Sequence, residues 1–240
     1  MGLIRTIAHD EPLDSVWEDL VYTEARLLSD PRTRDLAPGH TELLTALETV
    51  RVGQYTVWRG EIFAQAKVDT LNFAVDRFTE TFGRKLFVAE KGERKGPRWK
   101  RYFPSSVSSM VRLALERQLT KVRGWPASLK GEPEPELQAD GPEFARLVTE
   151  GDAAVQGRFD AAGKRNDHRV REIVALIDDV NAARLSALGR LLQRAVKNGL
   201  SKDWAESFFR KSQRRVTAAT EEDDDGGDDG GEQGGDKPTG

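Results

Sequence analysis

The chain has 240 residues, no cysteine, and 37 basic against 40 acidic side chains for a net charge of -3, which excludes disulfides, thiolate nucleophiles and cysteine-ligated metal together. A hydrophobic fraction of 38% beside a charged fraction of 32% suits long helices with heavily charged outer faces. The charge is also split: residues 221–240 carry nine acids and one lysine, leaving residues 1–220 at +5, a body suited to an anionic partner or screened from one by its own tail.

Between clusters of glycine and proline, apolar residues recur at helical rather than alternating spacing, which predicts an all-α chain. A first helix starts after Pro12, carries Val16, Leu20, Leu27 and Leu28, and stops at Asp30-Pro31. A second is expected from a Thr41 cap to about Phe82. Along it Ala64, Val68, Leu71, Val75, Phe78 and Phe82 step by 4, 3, 4, 3 and 4, a seam that must face another helix. Leu44, Leu47, Tyr55, Trp58, Ile62 and Phe73 form a second apolar face, and a helix apolar on two faces belongs at the centre of a bundle.

From Gly83 to Pro104 the pattern breaks, and the segment reads as a connector. Ser105 or Ser106 caps a third helix whose stripe runs from Val107 to Leu119 and ends near Gly124. The proline-spaced stretch 131–141 is expected to be a linker. Asp140, followed by Pro142 and Glu143, predicts a capped helix start, and Asn166-Asp167 predicts a turn. Ile173, Ile177, Val180, Ala187, Leu191 and Ala195 mark another long helix that Asn198-Gly199 ends, and Ser201 caps a short last one. The organisation expected is an elongated antiparallel helical bundle. It comprises an N-terminal hairpin with a basic connector (1–130), the linker (131–141), a C-terminal hairpin (142–216) and a disordered acidic tail (217–240).

Helical bundles often house metal pairs through Glu-x-x-His, but the residues three before His9, His40 and His168 are Thr6, Ala37 and Arg165. No phosphate-cradling loop, nucleophile elbow or dinucleotide fingerprint appears either. No catalytic residue, metal site or cofactor is therefore expected. One polar line, Glu61, Gln65, Asp69, Asn72, Asp76 and Glu80, follows a face of the second helix; exposed faces of this kind are ordinarily solvated.

The connector carries the one surface with a chemical bias. Arg84, Lys85, Lys91, Arg94, Lys95, Arg98, Lys100 and Arg101 stand against Glu90 and Glu93. They interleave with Trp99 and Tyr102, as a phosphate backbone with unstacked bases would require. No stretch approaches the ~18 apolar residues of a membrane span, so no membrane partner is expected, and the cysteine-free composition fits the cytoplasm. The leading expectation is a non-catalytic helical scaffold or protein-interaction protein that takes a protein partner or associates with itself. The alternative is a nucleic-acid-binding protein that uses the basic connector 84–130, masked by the acidic tail.

Overall fold

A computed structural model describes residues 4–210, so the acidic tail expected over 217–240 lies outside the described residues. What is described is all-α, without a strand. Helix α1 (Leu13–Ser29) ends where Asp30-Pro31 stops it. A short turn then leads into α2 (Pro38–Ala89), whose first turn carries Pro38, a ring that lacks only an amide hydrogen the helix start does not use. Thr41 lies inside that helix rather than capping it, and its hydroxyl donates to the Glu24 carboxylate of α1.

At 52 residues, α2 spans about 78 Å. It closes on Lys91 and Gly92, both at positive φ, where the Gly92 amide returns to the Phe87 carbonyl at 2.9 Å. Five short helices follow: α3 (Pro97–Tyr102), α4 (Val107–Met110), α5 (Leu115–Val122), α6 (Trp125–Leu129) and α7 (Pro135–Gln138). The stripe expected as one helix from Val107 is thus two, α4 and α5, with α6 following Gly124. Ser106 caps the first by accepting from the Ser109 amide at 3.0 Å, and the breaks let Met110, Leu115 and Trp125 all reach the same core. The 131–141 stretch also belongs to that core, for it carries α7 and buries Glu132 and Leu137.

The chain then runs back along α2. Helix α8 (Gly141–His168) passes through a π-helical stretch, Arg169–Ile173, straight into α9 (Val174–Lys197), and α10 (Lys202–Glu206) closes the described chain. Asn166-Asp167 makes no turn: both residues are tolerated in a helix, and the extra residue of the π stretch is absorbed without reversing the chain. Residues 141–197 therefore do not fold back on themselves, and the partner of α8 is α2. Asp140 makes no cap either. Its carboxylate instead takes the Lys85 ammonium at 2.6 Å, while Glu143 pairs with Arg146.

The two long helices are antiparallel. Phe82 of α2 meets Phe144 of α8 at 5.4 Å between ring centres, whereas His168, at the far end of α8, reaches the Val50 carbonyl at 3.1 Å. A Cβ added at Gly53 would stand 2.6 Å from the His168 ring, so the absent side chain there admits the imidazole. Gly151 likewise lets Leu119 of α5 close on α8, since a Cβ would come to 2.7 Å.

Apolar burial falls into three clusters. One gathers α3 to α7 around the end of α2 and the start of α8, with Phe82 touching Tyr102, Phe103, Trp125 and Phe144 at 5.1 to 6.0 Å. The others lie at the opposite end, where α1, the first turns of α2, α9 and α10 pack. There Arg184, 1% exposed, meets Asp19 at 3.3 Å and lies over the Phe209 ring. Among the described residues no helix is long and apolar enough to cross a membrane. Phe82→Ala should cost about 3–5 kcal/mol and Leu71→Ala about 2–5 kcal/mol in chemical denaturation, since both side chains are buried in the first cluster.

Candidate interaction surfaces

The connector folds into α3, and its spacing explains what happens to its aromatics. Trp99, Tyr102 and Phe103 lie three and four residues apart, so one face of a single helical turn carries all three rings inward. Trp99 and Tyr102 are 5% and 1% exposed, and Tyr102 packs edge-on against Phe82 and Trp125. Neither ring offers a face to a base, contrary to the stacking role expected of them.

Three of the cations are committed as well. Arg98 donates to Glu132 at 2.6 Å, to Glu90 at 3.2 Å and to Glu134. Tyr102 donates to the other Glu132 oxygen at 2.6 Å, and burial together with that carboxylate pushes the phenol well above its ordinary range. The arrangement satisfies a carboxylate that is 3% exposed, a charge too costly to bury alone. Arg101 lies 3.5 Å from Glu132, and Lys85 holds Asp140.

Arg84, Lys91, Arg94, Lys95 and Lys100 remain exposed and, among the described residues, form no ion pair. Arg94 lies flat over Phe87, 4.5 Å from its centre. With Arg84 it edges an open cleft of about 830 Å³, lined also by Glu80, Phe87, the edge of Trp99, Val107, Ser105, Ser106 and Ser108. The ten connector residues proposed from the sequence are therefore split by the fold into five structural groups and five available cations.

The polar line on α2 is not one surface. Glu61 pairs with Arg165 of α8 at 2.5 Å, and Gln65 donates to Asp69 at 2.8 Å. Asn72 donates to Asp76 at 3.2 Å, and Asp76 faces Gln118 of α5, fully buried as is Thr79 of α2. The Gln118 amide faces Asp76 without satisfying hydrogen-bond geometry. Burial pushes the Asp76 carboxyl above its ordinary value; Glu80 adds to this and Gln118 opposes it. Among the described residues no group of three or more His, Asp or Glu side chains is placed to hold a metal ion. A raised carboxyl stabilises the fold below its unfolded value and loses that contribution as pH rises through the folded one. Asp76→Asn should therefore melt higher than the parent at neutral pH, and the advantage should vanish below about pH 4.

The most exposed apolar surface lies elsewhere, on the middle of α2. Val52, Tyr55, Trp58, Ile62, Phe63 and Phe73 are 48% to 66% exposed. At about 100° per residue they form a broad stripe on the side of α2 away from Val68, Leu71 and Val75, which face α8, with Ile62 at its edge beside Phe159 of α8. Trp58 and Phe73 were expected in the core, and neither is there.

The limits of the bare stretch are visible. Helix α1 covers the same face as far as Leu44 and Leu47, and the Asp14–Arg51 ion pair at 2.6 Å marks where its cover stops. At the other end, α5 meets α2 at Asp76 and α4 meets it at Gly83. In between, guanidinium groups shield the rings in part, Arg59 over Phe63 at 5.2 Å and Arg77 over Phe73 at 5.7 Å. Sequence pattern had marked this second face as apolar; it could not show that the described residues leave it uncovered.

Comparison with protein-family models, curated proteins and solved structures gives no match for this chain.

Proposed function

We propose that the chain is a non-catalytic helical interaction protein, a scaffold that presents the outer stripe of α2 to another amphipathic helix. The observation that carries this reading is the run of half-exposed large apolar side chains from Val52 to Phe73, bounded at both ends by elements of the chain that cover the same helix. Scattered surface apolar residues are ordinary, but a contiguous aromatic stripe on one helix face is characteristic of an interface. An incoming helix would complete the bundle that two helices begin at this level. The test is hydroxyl-radical footprinting of the chain in its own cells and as dilute purified protein. Tyr55, Trp58, Phe63 and Phe73 should be protected in cells and oxidised when dilute, with Trp17 and Tyr22, exposed on α1, reacting alike in both settings. Equal oxidation of the stripe in the two settings would sink the reading.

A second reading draws support from the five connector cations that form no ion pair among the described residues and from the cleft that Arg84 and Arg94 edge: a polyanion, nucleic acid among them, held by charge alone. On this reading the chain lacking residues 221–240 binds single- or double-stranded nucleic acid more tightly than the full chain, because the tail competes for the same surface. Replacing Arg84, Arg94 and Lys95 with Gln should then lower the salt slope by roughly 2 to 3. No detectable affinity at about 50 mM salt, where electrostatic binding is favoured, removes this reading.

A further inference from the structure

We infer that the occupant of the outer stripe is a second copy of this chain, laid antiparallel along α2 about a two-fold axis level with Ala64. This rests on the reading of the stripe as a docking surface and adds its partner and register. Val52, Arg59, Ala66 and Phe73 are spaced by seven, and Tyr55, Ile62 and Asp69 repeat by seven three residues further on. These are the a and d positions of a heptad, here on the side of α2 that the described residues leave uncovered. The seam from Tyr55 to Phe73 is about 27 Å long.

Two charges sit in that apolar seam, and they decide its orientation. Arg59 lies over Phe63, and Asp69 accepts only from Gln65, so neither has an ion-pair partner among the described residues. A parallel pairing would set Arg59 on Arg59 and Asp69 on Asp69, which like-charge repulsion disfavours. An antiparallel pairing centred at Ala64 sets Arg59 of each copy opposite Asp69 of the other. The same register places Tyr55 opposite Phe73 and Ile62 opposite Ala66, so each layer between Tyr55 and Phe73 joins complementary groups, while Val52 falls opposite Asp76 beyond them. It also puts α2 between its own α8 and the other copy's α2, giving each of its two apolar faces a helix.

The area suffices. Four half-exposed aromatic side chains supply on the order of 400 Å² at 150–250 Å² each. Val52, Ile62, Ala66 and the stem of Arg59 extend this toward the roughly 800 Å² per partner of a stable interface. An interface of that size supports micromolar or tighter association.

The experiment measures the mass of the full chain in solution by sedimentation equilibrium, with circular dichroism to verify folding. The parent chain is expected to be a dimer. Arg59→Asp alone and Asp69→Arg alone each make two layers like-charged, and each should weaken self-association about 100-fold. An equimolar mixture of the two variants should regain the dimer, because one chain then carries two negative seam positions and the other two positive ones. The double variant, R59D with D69R, should regain it alone. A folded parent chain that stays monomeric well above micromolar concentration overturns self-pairing; protection of the stripe in cells would still leave the docking surface standing for another helix. A dimer indifferent to the charge reversals, or a mixture that stays monomeric, overturns the pairing proposed.

Discussion

A helix of 52 residues needs cover for its apolar positions, and among the described residues only α8 comes close to supplying it along the whole length. Val68, Leu71 and Val75 share a core with Phe144, Leu147, Val148 and Ala154 of α8, and everything else attaches to the two ends of that pair. The short helices gather where aromatic rings on α2 demand a thick layer, and α1, α9 and α10 gather where Leu47 demands one. Neither group reaches the middle. Hydrogen bonding within each helix is complete there regardless of cover, so the backbone can bridge a stretch in which one face lacks tertiary contacts.

Ion pairs follow the same division. Near the aromatic core they are dense and inward: Arg98 gathers Glu90, Glu132 and Glu134 where α3 meets the loop before α7, fixing two segments too short to be held by their own helical bonds. At the opposite end Arg194 binds Asp35, and Arg184 meets Asp19 in the interior. Burial draws the Arg184 guanidinium below its ordinary range although Asp19 opposes the shift, a sign of how little solvent reaches it. Along the middle the pairs are sparse and exposed, with Glu61–Arg165 joining α2 to α8.

Much of the architecture was legible in the residues because it depends on local rules. Asp30-Pro31 stops α1, Ser106 and Ser201 cap helices, and the 4-3-4-3-4 seam from Ala64 to Phe82 faces a partner helix. What could not be read depended on which groups meet at a distance. Trp99 and Tyr102 looked available because cations surround them, yet nothing in a basic loop fixes where a ring points; their spacing with Phe103 was the better signal, and it meant core. Asp140 had a capping pattern but found Lys85 across the fold, a stronger partner than a backbone amide. Asn166-Asp167 has the composition of a turn, yet both residues stay inside α8.

The π stretch Arg169–Ile173 makes the two ends of the molecule sensitive to a single residue of length. A π turn holds one residue more than an α turn, so the same residues wound as an unbroken α-helix would rotate α9 by about 100° relative to α8. Ile177, Val180, Leu188 and Leu191 would then swing away from α1 and α10 while Phe144 and Leu147 kept their places. The stretch thus acts as a phase adjuster between two cores that share one continuous helix. Homologous chains that lack it should carry their α9 apolar stripe displaced by one position in the sequence.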